Sequence, residues 1–309
     1  MLISSILTSL IKIFIMIIPG IFFRKKNYIT DEQNNGVTSI VVNLTLPCLV
    51  IDAMQMEFNA QVLSDSLHMF VMAMAVFLVS GIAALLISSA MKLSRNKQYL
   101  TIFMMIFGNT GFIGIPVIKA VYGTDAVFYS AIVELINDLL LFTIGVMLIQ
   151  LSAGVKLKMD PKQMLSPGFL GVLIGLLLFV LNIQLPAVLG DTIEVIGNAT
   201  TPLTMFAIGV QLAGMKFWEI AGDWKVYIIA AMKLLLVPLI ALGIVKLWVG
   251  EFTLLEKVLV IGFAMPVASC SSIFSQQYKG ETEFATKNVL ISTVCSVIAI
   301  PIFAIIMEL

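Results

Sequence analysis

Glu134 and Asp138 stand four residues apart in a run that is otherwise apolar, so on a helix they share one face, with Asn137 beside them. Placing an ionised side chain at a bilayer centre costs at least about 2.5–3.5 kcal/mol, so a pair there points to function. Two carboxylates facing one cavity raise each other's affinity for a proton, which suits a proton carrier or a cation ligand. The competing reading is a structural pair neutralised by Lys233 in another apolar run or by bound water.

A second polar cluster is Phe107-Gly108-Asn109-Thr110-Gly111-Phe112-Ile113-Gly114-Ile115-Pro116. Proline removes a backbone donor and glycine is a poor helix former, so a helix should break here. Unwound backbone at membrane depth is tolerated only where protein or a water-filled cavity satisfies it. Half-helix N-termini then present amides to an anion, and half-helix C-termini present carbonyls to a cation. Met265-Pro266-Val267-Ala268-Ser269-Cys270-Ser271-Ser272 occupies the matching depth later in the chain, with hydroxyls in place of the glycines. The competing reading is that Gly and Pro only permit close helix packing.

The elements that must position these groups follow from composition. The chain is 60% hydrophobic and 12% charged, with a mean hydropathy of +1.07, and belongs in a bilayer. Charge runs and polar turns mark ten apolar segments: 2–23, 36–55, 67–91, 98–120, 125–150, 166–185, 194–214, 225–249, 254–277 and 282–307. They are apolar all round and too long for barrel strands, which predicts an all-α integral membrane protein. The first segment lacks a basic leading region and runs straight into Arg24, Lys25 and Lys26, so it reads as a spanning helix and not a cleaved signal peptide.

Thirteen of the eighteen cations fall in loops after odd-numbered segments, among them Arg24, Lys97, Lys162, Lys216 and Lys279. The positive-inside rule makes that side cytoplasmic, with both termini outside. The pattern Asn-x-Thr-x-Pro occurs twice, at Asn43-Leu44-Thr45-Leu46-Pro47 and Asn198-Ala199-Thr200-Thr201-Pro202, 155 positions apart. Tyr122-Gly123 and Tyr278-Lys279-Gly280 recur at nearly the same offset. These matches predict two five-helix halves, 1–150 and 166–309, joined by a cytoplasmic linker over 151–165. An odd helix count makes the halves inverted relative to one another, the plan of many secondary transporters. Asn43 and Asn198 also fit a glycosylation pattern, but inside spans where it cannot be used. Their prolines should kink helices two and seven, leaving Asn and Thr to bond the freed carbonyls or a partner helix.

Residues 108–116, followed by Lys119 and Tyr122-Gly123, resemble the fourth-helix motif of the auxin efflux carrier family, which includes plant PIN-formed carriers and bacterial malate and malonate carriers. The resemblance covers the whole chain. It implies a scaffold and dimer interface from helices one, two, six and seven, and a moving transport domain from helices three to five and eight to ten. It places Asn109 on the asparagine that contacts the substrate carboxylate and Pro116 on the crossover proline. Ala264-Met265-Pro266 and Tyr278 align with family positions, whereas the later proline of the plant crossover is replaced around residues 270–272. About 15 residues join the halves, in place of the long plant loop.

The expected function is therefore an elevator-type secondary transporter of a small organic carboxylate, such as malate, malonate or an auxin-like acid, with a non-transporting sensor or channel as the alternative. Candidate substrate contacts are Asn109, Thr110, Gly111, Pro116, Ser269, Ser271 and Ser272, with Asn43, Pro47, Asn198 and Pro202 along the fixed wall. Glu134, Asn137 and Asp138 are the candidates for coupling to H+ or Na+. The expected setting is a homodimer in the plasma membrane that uses no cofactor and binds no nucleic acid. Phosphate loops, dinucleotide fingerprints, zinc motifs and intramembrane protease signatures are missing from the sequence. Cys48, Cys270 and Cys295 lack ligand spacing and read as free thiols.

Overall fold

The computed structural model describes residues 2–158, 165–214, 223–250 and 252–308. Lys162, Lys216 and residues 159–164 of the linker lie outside the described residues. The described chain is helical, with a single isolated β-bridge and no strand. The helices are α1 Leu2–Lys25, α2 Asp31–Ala53, α3 Ala60–Ala90, α4 Arg95–Ile106, α5 Thr110–Tyr122 and α6 Asp125–Ala153. They continue as α7 Pro167–Val180, α8 Ala187–Ala213, α9 Trp224–Trp248, α10 Leu254–Phe263, α11 Cys270–Gln277 and α12 Thr282–Ile306.

Seven of the described helices, namely α1, α2, α3, α6, α8, α9 and α12, are long and apolar enough to cross a membrane. The remaining apolar segments correspond to the shorter α7 and to two pairs, α4 with α5 and α10 with α11. Each pair divides one run that the sequence reads as a span. Polar caps start several helices: Asn59 accepts from the Gln61 amide, Ser166 Oγ from the Phe169 amide, and Glu256 Oε2 from the Thr253 amide.

Prolines shape the helices through local rewinding. Pro47, Pro116 and Pro238 each follow a wider, π-helical turn by two residues, over Val41–Thr45, Thr110–Gly114 and Met232–Leu236. The wider turn accommodates a ring that carries no N–H and would clash with the preceding carbonyl. In the first copy of the repeated pentapeptide, Asn43 Nδ2 donates to the Ser39 carbonyl at 2.8 Å and Thr45 Oγ1 to that of Val41 at 3.5 Å. In the second copy the helix is interrupted near Ala199, whose amide bonds to Ile196 O.

Two groups of helices pack together. α8 lies along α1, and α2 packs on both α7 and α8. A side chain at Gly20 would collide with the Phe206 carbonyl, and one at Gly209 with that of Ile17, so only glycine lets α1 and α8 approach this closely. In the second group, α4 packs on α3 and on the end of α6, α10 on α6, and α9 and α11 on α12. Most of the largest buried aromatics, Phe103, Phe107, Phe128 and Phe303, sit in this second group, and Phe179 of α7 packs against Phe128 from the first.

Candidate functional site

α4 stops at Ile106 because the next residue turns extended, with Phe107 at φ −91° and ψ 127°. α10 stops at Phe263, and the chain resumes helix only at Cys270. The two unwound stretches cross as an antiparallel bridge between Gly108 and Val267. The Asn109 amide donates to the Pro266 carbonyl at 2.8 Å, and the Ala268 amide to the Phe107 carbonyl at 3.2 Å. The Val267 amide donates to Ser292 Oγ of α12 at 3.1 Å. Main-chain groups that lost their helical partners are thus satisfied inside the protein.

The side chains around this crossing form one network. Asn109 Nδ2 donates to Ser269 Oγ at 2.9 Å. Thr110 Oγ1 donates to Glu134 Oε2, and a side chain at Gly111 would collide with Glu134 Oε1. The glycine lets α6 lay a carboxylate on the first turn of α5, where the helix dipole favours negative charge. Asp138 Oδ2 accepts from Ser166 Oγ at 3.4 Å. Asn137 is buried and its Oδ1 has no protein partner.

A cavity of about 430 Å³ opens here between the two helix groups. Asn109, Thr110, Gly111, Glu134, Asn137, Asp138, Ser269 and Ser272 line it, so the structure brings together most of the residues expected from sequence. It also adds Asn35 and Thr38 of α2, Ser166 before α7, and Gln211 of α8. These four lie near helix ends, where a polar residue in a sequence reads as interfacial.

Other candidates lie elsewhere. Pro116 is buried inside α5 and does not line the cavity. The proline at the crossing is Pro266, whose carbonyl holds Asn109, because the π-turn absorbs Pro116 within a continuous helix. Ser271 is buried with its hydroxyl unpartnered, away from the cavity lining. Asn43, Pro47, Asn198 and Pro202 are all outside that lining. Asn43 bonds its own helix, and Pro47 backs onto Gly171 of α7. Pro202 is exposed on α8. Asn198 Oδ1 accepts from Lys119 Nζ at 2.6 Å, a bond that joins α5 of one helix group to α8 of the other. Lys233 does not pair with the carboxylates, because its ammonium donates to the Ile106 carbonyl at 3.2 Å.

Among the described residues, no cation lines the cavity and no group of three or more metal-ligating side chains occurs. All three cysteines are free thiols. The cavity combines two half-helix N-termini, an amide network and two carboxylates. It can therefore hold an anionic group against the crossing and a cation beside Glu134 and Asp138.

The profile of a family described as membrane transport proteins matches residues 5–304. An uncharacterized transporter of Methanothermobacter thermautotrophicus is 19% identical over 300 residues, covering 97% of each chain. The uncharacterized transporter YfdV of Escherichia coli is 22% identical over 311 residues, covering 95% of each. The mouse lysosomal cholesterol signaling protein is 23% identical over 317 residues, which span 95% of this chain and 36% of the mouse protein. With the family profile covering nearly its whole length, the chain belongs to the auxin efflux carrier family of membrane transport proteins, which are transporters and not enzymes.

Proposed function

We propose that this transporter moves a small organic carboxylate together with a cation by an elevator-type mechanism. The observation that carries the reading is the lining of the cavity at the helix crossing. Asn109 and the amides opening α5 and α11 suit a carboxylate group. Glu134 and Asp138 line the same space with no lysine, arginine or histidine among the described residues. An anion entering beside two carboxylates needs its charge offset, and a proton or Na+ held by that pair supplies the offset. The unpartnered Asn137 Oδ1 is a further acceptor for such a cation.

The cavity lies on the seam between the α1, α2, α7, α8 group and the remaining helices. That placement supports a fixed scaffold, which also serves as the homodimer contact, and a transport domain carrying both broken helices past it. The ten segments are then two inverted five-helix repeats, 1–150 and 166–309. The basic loops face the cytoplasm, both termini lie outside, and the plasma membrane is the setting. Asn35, Ser166 and Gln211 line the cavity from the cytoplasmic ends of their helices, so it opens inward.

A second reading, a sensor that binds but does not transport, draws on the mouse relative, which is named as a signaling protein. Thermal shifts of the purified protein against mono- and dicarboxylates, with and without Na+ and across pH, test the site first. Counterflow of the labelled hit in proteoliposomes then separates the readings. A cation-dependent shift with counterflow supports the carrier. Binding without counterflow supports the sensor, and no shift with any carboxylate overturns the substrate class.

A further inference from the structure

Lys233 is 1% exposed, the largest charged side chain in the core, and it lies behind the crossing rather than in the cavity. Its hydrogen bond runs to Ile106 O, the last residue of α4, at 3.2 Å. Ion pairs among the described residues join Arg24 to Asp31, Lys257 to Glu308 and Lys287 to Glu283, and none includes Lys233. A buried ammonium without a counter-charge is expensive, so something else must offset it. The end of a broken helix does: its last carbonyls lack the amides of a following turn and carry partial negative charge. In broken-helix carriers such half-helix C-termini are where a coupling cation is coordinated.

We infer that Lys233 is a resident cation, covalently tethered at the C-terminal end of α4, where it fixes the crossing that presents Asn109. The π-turn Met232–Leu236 sets the lysine's direction, and Gly108 leaves it room, because a side chain there would come within 3.2 Å of Nζ. Lys233 is a positioning residue, and an exchangeable cation is left only the Glu134 and Asp138 side of the crossing.

Truncation with replacement of the missing group tests this. Lys233→Ala in the purified full chain should melt at a lower temperature. n-Propylammonium, which restores the lost stem and charge, should raise the melting point, whereas n-propanol and tetramethylammonium should not. Lys233→Met, which keeps the length without the charge, should bind the carboxylate found in the screen about tenfold or more weakly. Equal rescue by propanol, or Lys233→Met matching the wild type in melting point and ligand response, overturns the inference. Where Lys233→Ala does not survive purification, Lys233→Arg above Lys233→Met in stability supports it, and the reverse order or equality overturns it. The ligand arm rests on the carboxylate reading. The melting-point arm does not, so the two can fail separately.

Discussion

The two broken segments meet at one bridge but are furnished differently. The first, residues 107–109, has a carboxylate on one side, where Thr110 bonds Glu134, and an ammonium on the other, where Lys233 bonds Ile106. The second, residues 264–269, is held by neutral groups: Ser292 behind it, and Ser269 holding Asn109 in front. A pair of interrupted helices thus divides the work, with charge concentrated at the first break and hydroxyl support at the second.

The sharpest way to break that comparison is Asn109→Ala, which removes the side chain joining the two segments and facing the cavity. Carboxylate binding should fall by about tenfold or more, below detection in a thermal-shift titration, in a protein that stays monodisperse. Unchanged affinity would remove the first segment from the binding role. Asp138→Asn comes next: uptake should persist at reduced rate but lose its dependence on pH or Na+, and a retained dependence would make the carboxylates structural. Ser269→Ala deletes only the partner of Asn109, so binding should weaken by roughly threefold to tenfold, the usual weight of one neutral hydrogen bond. A loss equal to that of Asn109→Ala would mean that the second segment contacts substrate itself. The smallest effect is expected of Asn198→Ala, which frees Lys119 at an exposed position. The melting temperature should barely move, since exposed charged contacts contribute about 0–1 kcal/mol, while the uptake rate reports whether this contact across the seam must open.

Polarity in an apolar run is conspicuous, which is why Asn109, Glu134 and Asp138 could be singled out from sequence, and the structure finds them around one cavity. Glycine and proline density likewise marked both breaks. Proline alone misled about where the crossing lies, because a π-turn lets Pro116 sit inside a helix while Pro266 contributes a carbonyl at the bridge. The competing reading made Lys233 a partner of the carboxylates, but its partner is a main-chain oxygen 127 positions away, which no pattern of side chains reports. Asn35, Thr38, Ser166 and Gln211 were missed for a related reason: near helix ends polarity is commonplace, and only tertiary packing turns it toward a cavity.

The Gly108–Val267 bridge has a consequence for how such a protein can change over generations. Its two rungs run between main-chain atoms, so they are indifferent to most side chains at positions 107, 267 and 268. One segment can therefore read Phe-Gly-Asn and the other Pro-Val-Ala without altering the junction. Mutation can refit the lining to a new cargo while the junction stays put, and a proline at 109 or 268 is the replacement that would erase a rung.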